Sequence, residues 1–332
     1  VGKPREQNIA CCSAGVYLFT MNKNSRMEAW YRLAQGKPVD DLKLDFRGGR
    51  IDLSGLRVAE PTPGKRFLIQ IAGLTEEVTL LKDLTLVRGV NWSGLDFSRA
   101  RLDYVRIIDS SIQDCVFDQC SFKDGGLWGT TISNSSFRGA DLRGSALGPL
   151  EKRRRNVFRE VDFTETDLRQ TAYTSAEFVR CLFKNANLTK VDFEGSAFTD
   201  CVFEGELREV VFNRHGFEAE DLPPNKMEGV DFSLARLRYV EFRGLDLDKV
   251  RFPEDEDHIV IDDYPGTLDR ILAVLRGRTD TDSRVLAAGL AIERKWLSPN
   301  RKRGVLNKKD ILEAGGEEGL KTVLQALETS GN

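Results

Sequence analysis

The chain has 332 residues, a formal net charge of −3, 40% hydrophobic residues and 30% charged residues. That balance excludes a disordered chain, and no apolar run approaches the roughly 18 residues that a membrane span needs. Near-neutrality argues against a protein that coats nucleic acid with its whole surface. Only two histidines are present, His215 and His258, which argues against His-rich metal sites and Ser-His-Asp chemistry.

At the N-terminus, Lys3 and Arg5 precede an apolar stretch over 9–19 that faintly resembles a secretory signal. No A-x-A-like cleavage site follows it, and Cys11 and Cys12 sit inside it. The alternative is an upstream extension, with translation starting at Met21 or Met27. Ser25 and Glu28 then match the S-x-x-E capping box of a helix start. Met27, Trp30, Tyr31 and Leu33 supply an apolar stripe, and Gly36 and Pro38 end the predicted helix. Leu44-Asp45-Phe46 and Ile51-Asp52-Leu53 read as isolated windows of the repeat that follows, so an imperfect first coil is expected from near residue 40. Residues 60–65 read as a break, and 67–89 as apolar but out of frame.

From residue 90 every fifth residue is large and apolar, in twelve consecutive windows from Trp92 through Phe97 and Leu102 to Leu147. Two residues before each stands a small or β-branched residue such as Ala100, Cys115, Ser135 or Ala140, with occasional larger ones such as Leu95. A period of five is neither helical nor strand-like. It predicts a chain that turns a corner every five residues and stacks residues 20 apart. Phenylalanines recur at that spacing in 97/117/137, 158/178/198, 163/183/203 and 212/232/252, which predicts four aromatic columns. The frame slips at 148–157, read as a local insertion, and at 204–211, read as a local deletion. The third block is read through Phe212, Phe217, Leu222, Met227 and Phe232 to Phe252.

These windows resemble the pentapeptide-repeat family, whose motif is approximately A-(D/N)-L-x-x. The residues that carry the resemblance are Ala140-Asp141-Leu142, Ala186-Asn187-Leu188, Val191-Asp192-Phe193 and Val230-Asp231-Phe232. The resemblance covers about half of the chain and implies an all-β solenoid, a right-handed quadrilateral β-helix. Nearly eight coils at about 4.8 Å each give a rod of about 37 Å. Such a rod has two open ends that need covers.

The expected organisation is an N-terminal extension and short helix (1–37), imperfect first coils or cap (38–89), the repeat (90–253) and a C-terminal helical domain (254–332). In the last, 267–276, 282–296, 307–314 and 317–327 read as helices, punctuated by Gly277, Pro299 and Gly315-Gly316.

Cys115, Cys120, Cys181 and Cys201 all fall in the small inward slot, where free cysteine acts as a small hydrophobe. A disulfide between Cys181 and Cys201 is conceivable, but packing in a reducing bacterial cytoplasm is the expectation. No metal-ligand or nucleotide-binding motif is present, and acidic pairs such as Asp162 and Asp167 arise from the repeat itself. A Phe-filled interior leaves no substrate cavity. No catalytic residue, cofactor or metal is therefore expected.

Three groups of residues are candidates for partner contact. His215, Glu220 and Asn225 are poor inward residues in succession, with Pro223 and Pro224 between them, so 213–229 is expected to be a distorted coil or a projecting loop. Lys152, Arg153, Arg154 and Arg155 sit at the first frame slip and suit phosphate or an acidic protein, or else a solvated turn. Arg301, Lys302 and Arg303 form a similar cluster between helices.

The functional expectation is a non-enzymatic scaffold that binds another protein. Some members of the family it resembles bind type II topoisomerases as DNA-like acidic rods. Here 90–255 carries 29 acidic and 23 basic residues, which is only mildly acidic. Nucleic-acid contact through the basic loops is the other alternative, no membrane partner is expected, and the C-terminal helices offer a route to a homodimer.

Overall fold

The computed structural model describes residues 25–58, 66–71, 74–79, 85–216 and 221–328. The readings made above for residues 1–20, for Met21, for the break at 60–65 and for Phe217 and Glu220 lie outside these residues.

A corner every five residues is what turns this sequence into a coil. Two positions after each large apolar residue the backbone adopts positive φ, in ten consecutive windows from Arg99 (φ 58°) to Gly144 (φ 70°) and in ten more from Glu160 to Gly205. A non-glycine residue pays about 1–2 kcal/mol for that conformation. The cost is offset because each corner N–H then reaches the neighbouring coil, as from Arg99 to Asp118 O and from Gln119 to Arg138 O, both 2.8 Å. The aspartate of the motif serves the same corner. Asp96, Asp162 and Asp231 each accept the N–H two residues on at 2.8 Å, an Asx turn.

The coils stack through parallel ladders at a 20-residue stride. Val87, Ile107 and Leu127 pair in one, and Trp92, Ile112 and Ile132 in a second. Asp96, Val116 and Ser136 bridge in a third, and Arg101, Ser121 and Asp141 in a fourth. The result is a β-helix-like repeat. All twelve large apolar residues from Trp92 to Leu147 are buried, as are their small partners. Aromatic rings stack down the interior with centroids 5.2 Å apart for Phe97–Phe117 and 4.9 Å for both Phe158–Phe178 and Phe178–Phe198. Small polar inward residues bond the backbone. Ser135 Oγ donates to Ser133 O (2.8 Å) and accepts from Cys115 N–H (3.1 Å). Cys115, Cys120, Cys181 and Cys201 are free and buried.

The stride departs from 20 at three places. It is 26 where Ile132 pairs with Phe158, 19 where Phe193 pairs with Phe212, and 30 where Phe212 pairs with Phe242. The first two are the insertion and deletion expected from the frame slips. The third corrects the expected 212/232/252 column. Phe212 stacks on Phe193 (5.3 Å) and Phe242 (5.5 Å) and meets Phe232 only edge-on, whereas Phe232 stacks on Phe203. A ten-residue excursion preserves the five-residue phase while displacing the coil, so sequence phase alone could not reveal it. Leu222, read as a window centre, is only half-buried in that excursion.

Other readings near the first coils also change. Val87 is in frame and fully buried, so the regular repeat starts one window earlier than expected. Ile51-Asp52-Leu53 does join the coil, through Ile51 and Asp52 paired with Leu95 and Asp96. Leu44-Asp45-Phe46 does not: Phe46 is 72% exposed in a two-residue hairpin strand. Residues Arg66–Ile71 and Leu74–Thr79 form an antiparallel hairpin.

Both ends are covered. Helix α1 (Ser25–Ala34) places Trp30 edge-on against Trp92 (5.5 Å) and Phe97 (6.0 Å), and Trp92 Nε1 donates to Leu33 O (3.1 Å). Tyr31, assigned to the buried stripe, is 38% exposed. At the other end stand α2 (Tyr264–Leu275), α3 (Thr281–Lys295) and α4 (Lys308–Glu328), the last broken at Gly316 (φ 62°, ψ −171°). A strand pair that sequence reading missed, His258–Ile261 with Gly304–Asn307, ties this unit to the coil.

The cover works by side chains that complete the last coil's open backbone. Leu237 N–H donates to His258 Nε2 (3.0 Å), and Asn307 Nδ2 donates to Leu237 O (2.8 Å). Asp310 accepts from Tyr239 N–H (2.6 Å), and Trp296 O accepts from Gly244 N–H (2.7 Å). Because His258 Nε2 accepts, its proton is on Nδ1, which donates to Asp255 (2.8 Å). Two outcomes are expected in denaturant unfolding. Phe178→Ala, in the middle of an aromatic column, costs about 3–5 kcal/mol. His258→Leu strands a buried N–H and costs about 1–3 kcal/mol; equal stability of this variant and the parent would refute the capping role.

Candidate interaction surfaces

The first insertion runs back over the outside of the coils. Glu151, buried, pairs with Arg88 (3.1 Å), and Arg154 pairs with Asp109. On its other side Arg153 pairs with Asp221, and Arg155 donates to Pro223 O (2.7 Å). The two insertions, 68 residues apart in sequence, are therefore clasped to each other. Of the predicted basic run, Arg153, Arg154 and Arg155 all have intramolecular partners, while Lys152 is exposed. Burial lowers the pKa of the Arg155 guanidinium.

Each insertion returns to the coil through a buried asparagine in the inward slot. Asn156 Oδ1 accepts from Thr130 N–H (2.9 Å), and its Nδ2 donates to Leu127 O (2.6 Å) and Leu147 O (2.8 Å). Asn225 Oδ1 accepts from Phe198 N–H (3.2 Å) and Met227 N–H (3.0 Å). Asn225, read above as a poor inward residue, is thus an anchor, and Asn156 was overlooked. The signal was available: each stands two residues before a window centre, Phe158 or Met227. His215 is exposed at the base of the second insertion, and Pro223 is exposed beside Arg155.

The second basic cluster is split by the fold. Arg301 is 3% exposed, lies over the rings of Phe242 and Tyr264, and donates to Leu245 O (3.1 Å). This corrects its reading as a partner contact, since it closes the rod's end. Arg303 pairs with Asp262 (3.0 Å), and Lys302 is exposed.

Basic side chains interleave with the acidic columns along the rod. Arg143 meets Asp141 (2.7 Å) and Asp167 (3.6 Å), and Arg138 meets Asp162 (2.8 Å). Arg251 meets Asp231 (2.9 Å), and Lys184 meets Glu204 (2.9 Å). The Arg143 guanidinium holds the Asp141 carboxyl below its ordinary range. Burial pushes the Cys115 thiol up to about 12, which suits a packing role. Among the described residues no cluster of metal-ligating side chains occurs, and no helix is long and apolar enough to cross a membrane.

The family profile described as pentapeptide repeats matches residues 174–205 in eight copies. The coil found there, with its stacked phenylalanines and corner at every fifth residue, is the repeat of that profile. The chain contains pentapeptide repeats, matched to that family at residues 174–205. No curated protein matches it. Solved structures similar to it include trypsin-treated QnrB1, a plasmid-mediated fluoroquinolone resistance protein, at 18% identity over 51% of this chain and 76% of that one, with a TM-score of 0.33. HetL, involved in heterocyst differentiation regulation in the cyanobacterium Nostoc, is 18% identical over 51% of this chain and 85% of that one, with a TM-score of 0.20. Rfr23 from the cyanobacterium Cyanothece is 10% identical over 51% and 91%, with a TM-score of 0.19.

The clasp gives a direct test. Arg153→Glu and Asp221→Lys are each expected to cost no more than about 1 kcal/mol, since the pair is exposed. Both are expected to raise protease cleavage within 213–226, and the charge-swapped double variant to restore protection. Asn225→Ala, by contrast, is expected to cost about 1–3 kcal/mol. Unchanged cleavage in both single variants would refute the clasp.

Proposed function

We propose that the chain is a non-enzymatic binding scaffold: a right-handed quadrilateral rod that presents a fixed surface to another protein. The rod spans 90–253, α1 and the imperfect coils before the rod form one cap, and the helical unit after 254 forms the other. The observation that carries the reading is the clasp. Two insertions leave the coil at separate places and are fastened to each other by Arg153–Asp221 and Arg155–Pro223. A repeat needs neither insertion for its own stability, and insertions fastened to each other on a scaffold suit recognition. The interior supports the absence of catalysis, because it is filled with stacked rings. Buried thiols suit a reducing compartment, in keeping with a cytoplasmic setting.

Two alternatives are weaker. A DNA-like rod that engages a type II topoisomerase needs uncompensated negative columns, and here Arg138, Arg143, Arg169 and Arg251 lie along them. A nucleic-acid adaptor needs free cations, and the arginines of both basic clusters are engaged within the chain.

The test is affinity capture from a bacterial lysate with and without nuclease treatment, with the parent chain and the Asp221→Lys variant compared by mass spectrometry. A protein retained by the parent and lost by the variant supports the scaffold reading. Retention that disappears on nuclease treatment supports the adaptor, and retention of topoisomerase subunits by both chains supports the DNA-like rod.

A further inference from the structure

The joint between the last coil and the C-terminal unit turns on one ring nitrogen. His258 Nε2 accepts from Leu237 N–H (3.0 Å), and the Asn307 amide nitrogen stands 3.2 Å from the same atom. The His258 side chain is fully buried. The ring therefore fits this slot only with a free lone pair on Nε2 and its single proton on Nδ1, facing Asp255 (2.8 Å).

Neither donor can change its role. The Leu237 backbone N–H only donates. An asparagine can turn its amide and offer oxygen instead, but Asn307 is held at both ends. Its Nδ2 donates to Leu237 O (2.8 Å), and its Oδ1 accepts from Lys309 N–H (2.9 Å) at the start of α4. Turning the amide would uncap α4 and set an oxygen against the Leu237 carbonyl. Val240, Phe242, Val305 and Leu306 around the ring carry no side-chain acceptor. Asp310 does, and its two oxygens are taken up by Arg238 and by Tyr239 N–H (2.6 Å).

A second proton on the ring therefore sets N–H against N–H inside a closed slot. Histidine is the side chain whose charge changes between about pH 5 and 8. Asp255 lies on the outer side of the ring with 47% of its side chain exposed, so it can keep a charged ring that has left the slot. The other charges nearby are paired already, Asp257 with Lys309 (2.5 Å) and Arg238 with Asp310 and Glu313.

We propose that His258 is a pH-sensitive latch. Neutral, it docks the C-terminal unit on the last coil; protonated, it leaves its slot and bares the Leu237 backbone at the end of the rod. The docked state binds one proton fewer than the released state, so docking strengthens as the pH rises and is lost as it falls. The latch lies far in sequence from the two insertions and does not rest on the scaffold reading.

The test is hydrogen exchange of the full chain read by mass spectrometry at about pH 8 and about pH 5, with rates corrected for the intrinsic pH dependence of exchange. Protection of 233–240 is expected to fall by about tenfold or more at the lower pH, relative to 177–184 in the middle of the coil. His258→Gln sets an amide oxygen near the position of Nε2 and does not titrate, so its protection is expected to be equal at both pH values. Asn307→Asp keeps an oxygen for the α4 cap and offers an acceptor to a charged ring, so it is expected to release less than the parent at the lower pH. Three outcomes would overturn the proposal. If the parent is equally protected at both pH values, Asp255 holds the charged ring in its slot. If His258→Gln loses protection in step with the parent, another group titrates, with Asp310 first in line because burial raises its carboxyl pKa. If Asn307→Asp releases as much as the parent, the clash at Nε2 is not the cause, and this variant decides the matter should His258→Gln fail to dock at either pH.

Discussion

Everything in this molecule depends on the left-handed backbone turn that recurs at every fifth residue. It is a poor local conformation for arginine, aspartate or glutamine, yet Arg99, Asp109 and Gln119 all adopt it. What makes it tolerable is cooperative. Each corner aims its N–H at the next coil, and that coil's own corner does the same, so no turn is stable alone and each is stable in a stack. This is the nearest-neighbour behaviour of a repeat array. It also explains the division of the motif: one large apolar residue fills the interior, one small residue two positions earlier admits it, and the intervening aspartate ties down the corner.

The same constraint makes the ends and interruptions costly. A stack that stops leaves backbone donors and acceptors without the coil that would have met them. At the C-terminal end His258, Asn307, Asp310, Arg301 and the Trp296 carbonyl take the place of the missing coil. At each insertion a buried asparagine does so locally, because its amide can both donate and accept where one coil's chain has wandered off. The two buried asparagines inside this hydrophobic rod therefore mark the places where the repeat is broken.

The insertions are also where the molecule gains individuality. Ion pairs cross from one coil to the next, as between Arg138 and Asp162, whereas the two excursions are fastened to each other between Arg153 and Asp221. The C-terminal unit adds a second feature, the exposed apolar side chains Val285 and Ile292 on α3.

Sequence by itself determined the coil, because its period, its inward pair and its stacked phenylalanines all follow from local spacing. It also determined the helices after residue 263, whose caps and glycine stops are local. Only the tertiary structure decided the path between Phe212 and Met227, since an excursion of ten residues leaves a five-residue phase unchanged. It alone decided that Arg301 is interior while Lys302 is exposed, that Asn225 anchors rather than distorts, and that Arg153 and Arg155 are fastened to the second insertion. These are contacts between residues tens of positions apart, whose partners are set by where the coil brings them rather than by any pattern along the chain.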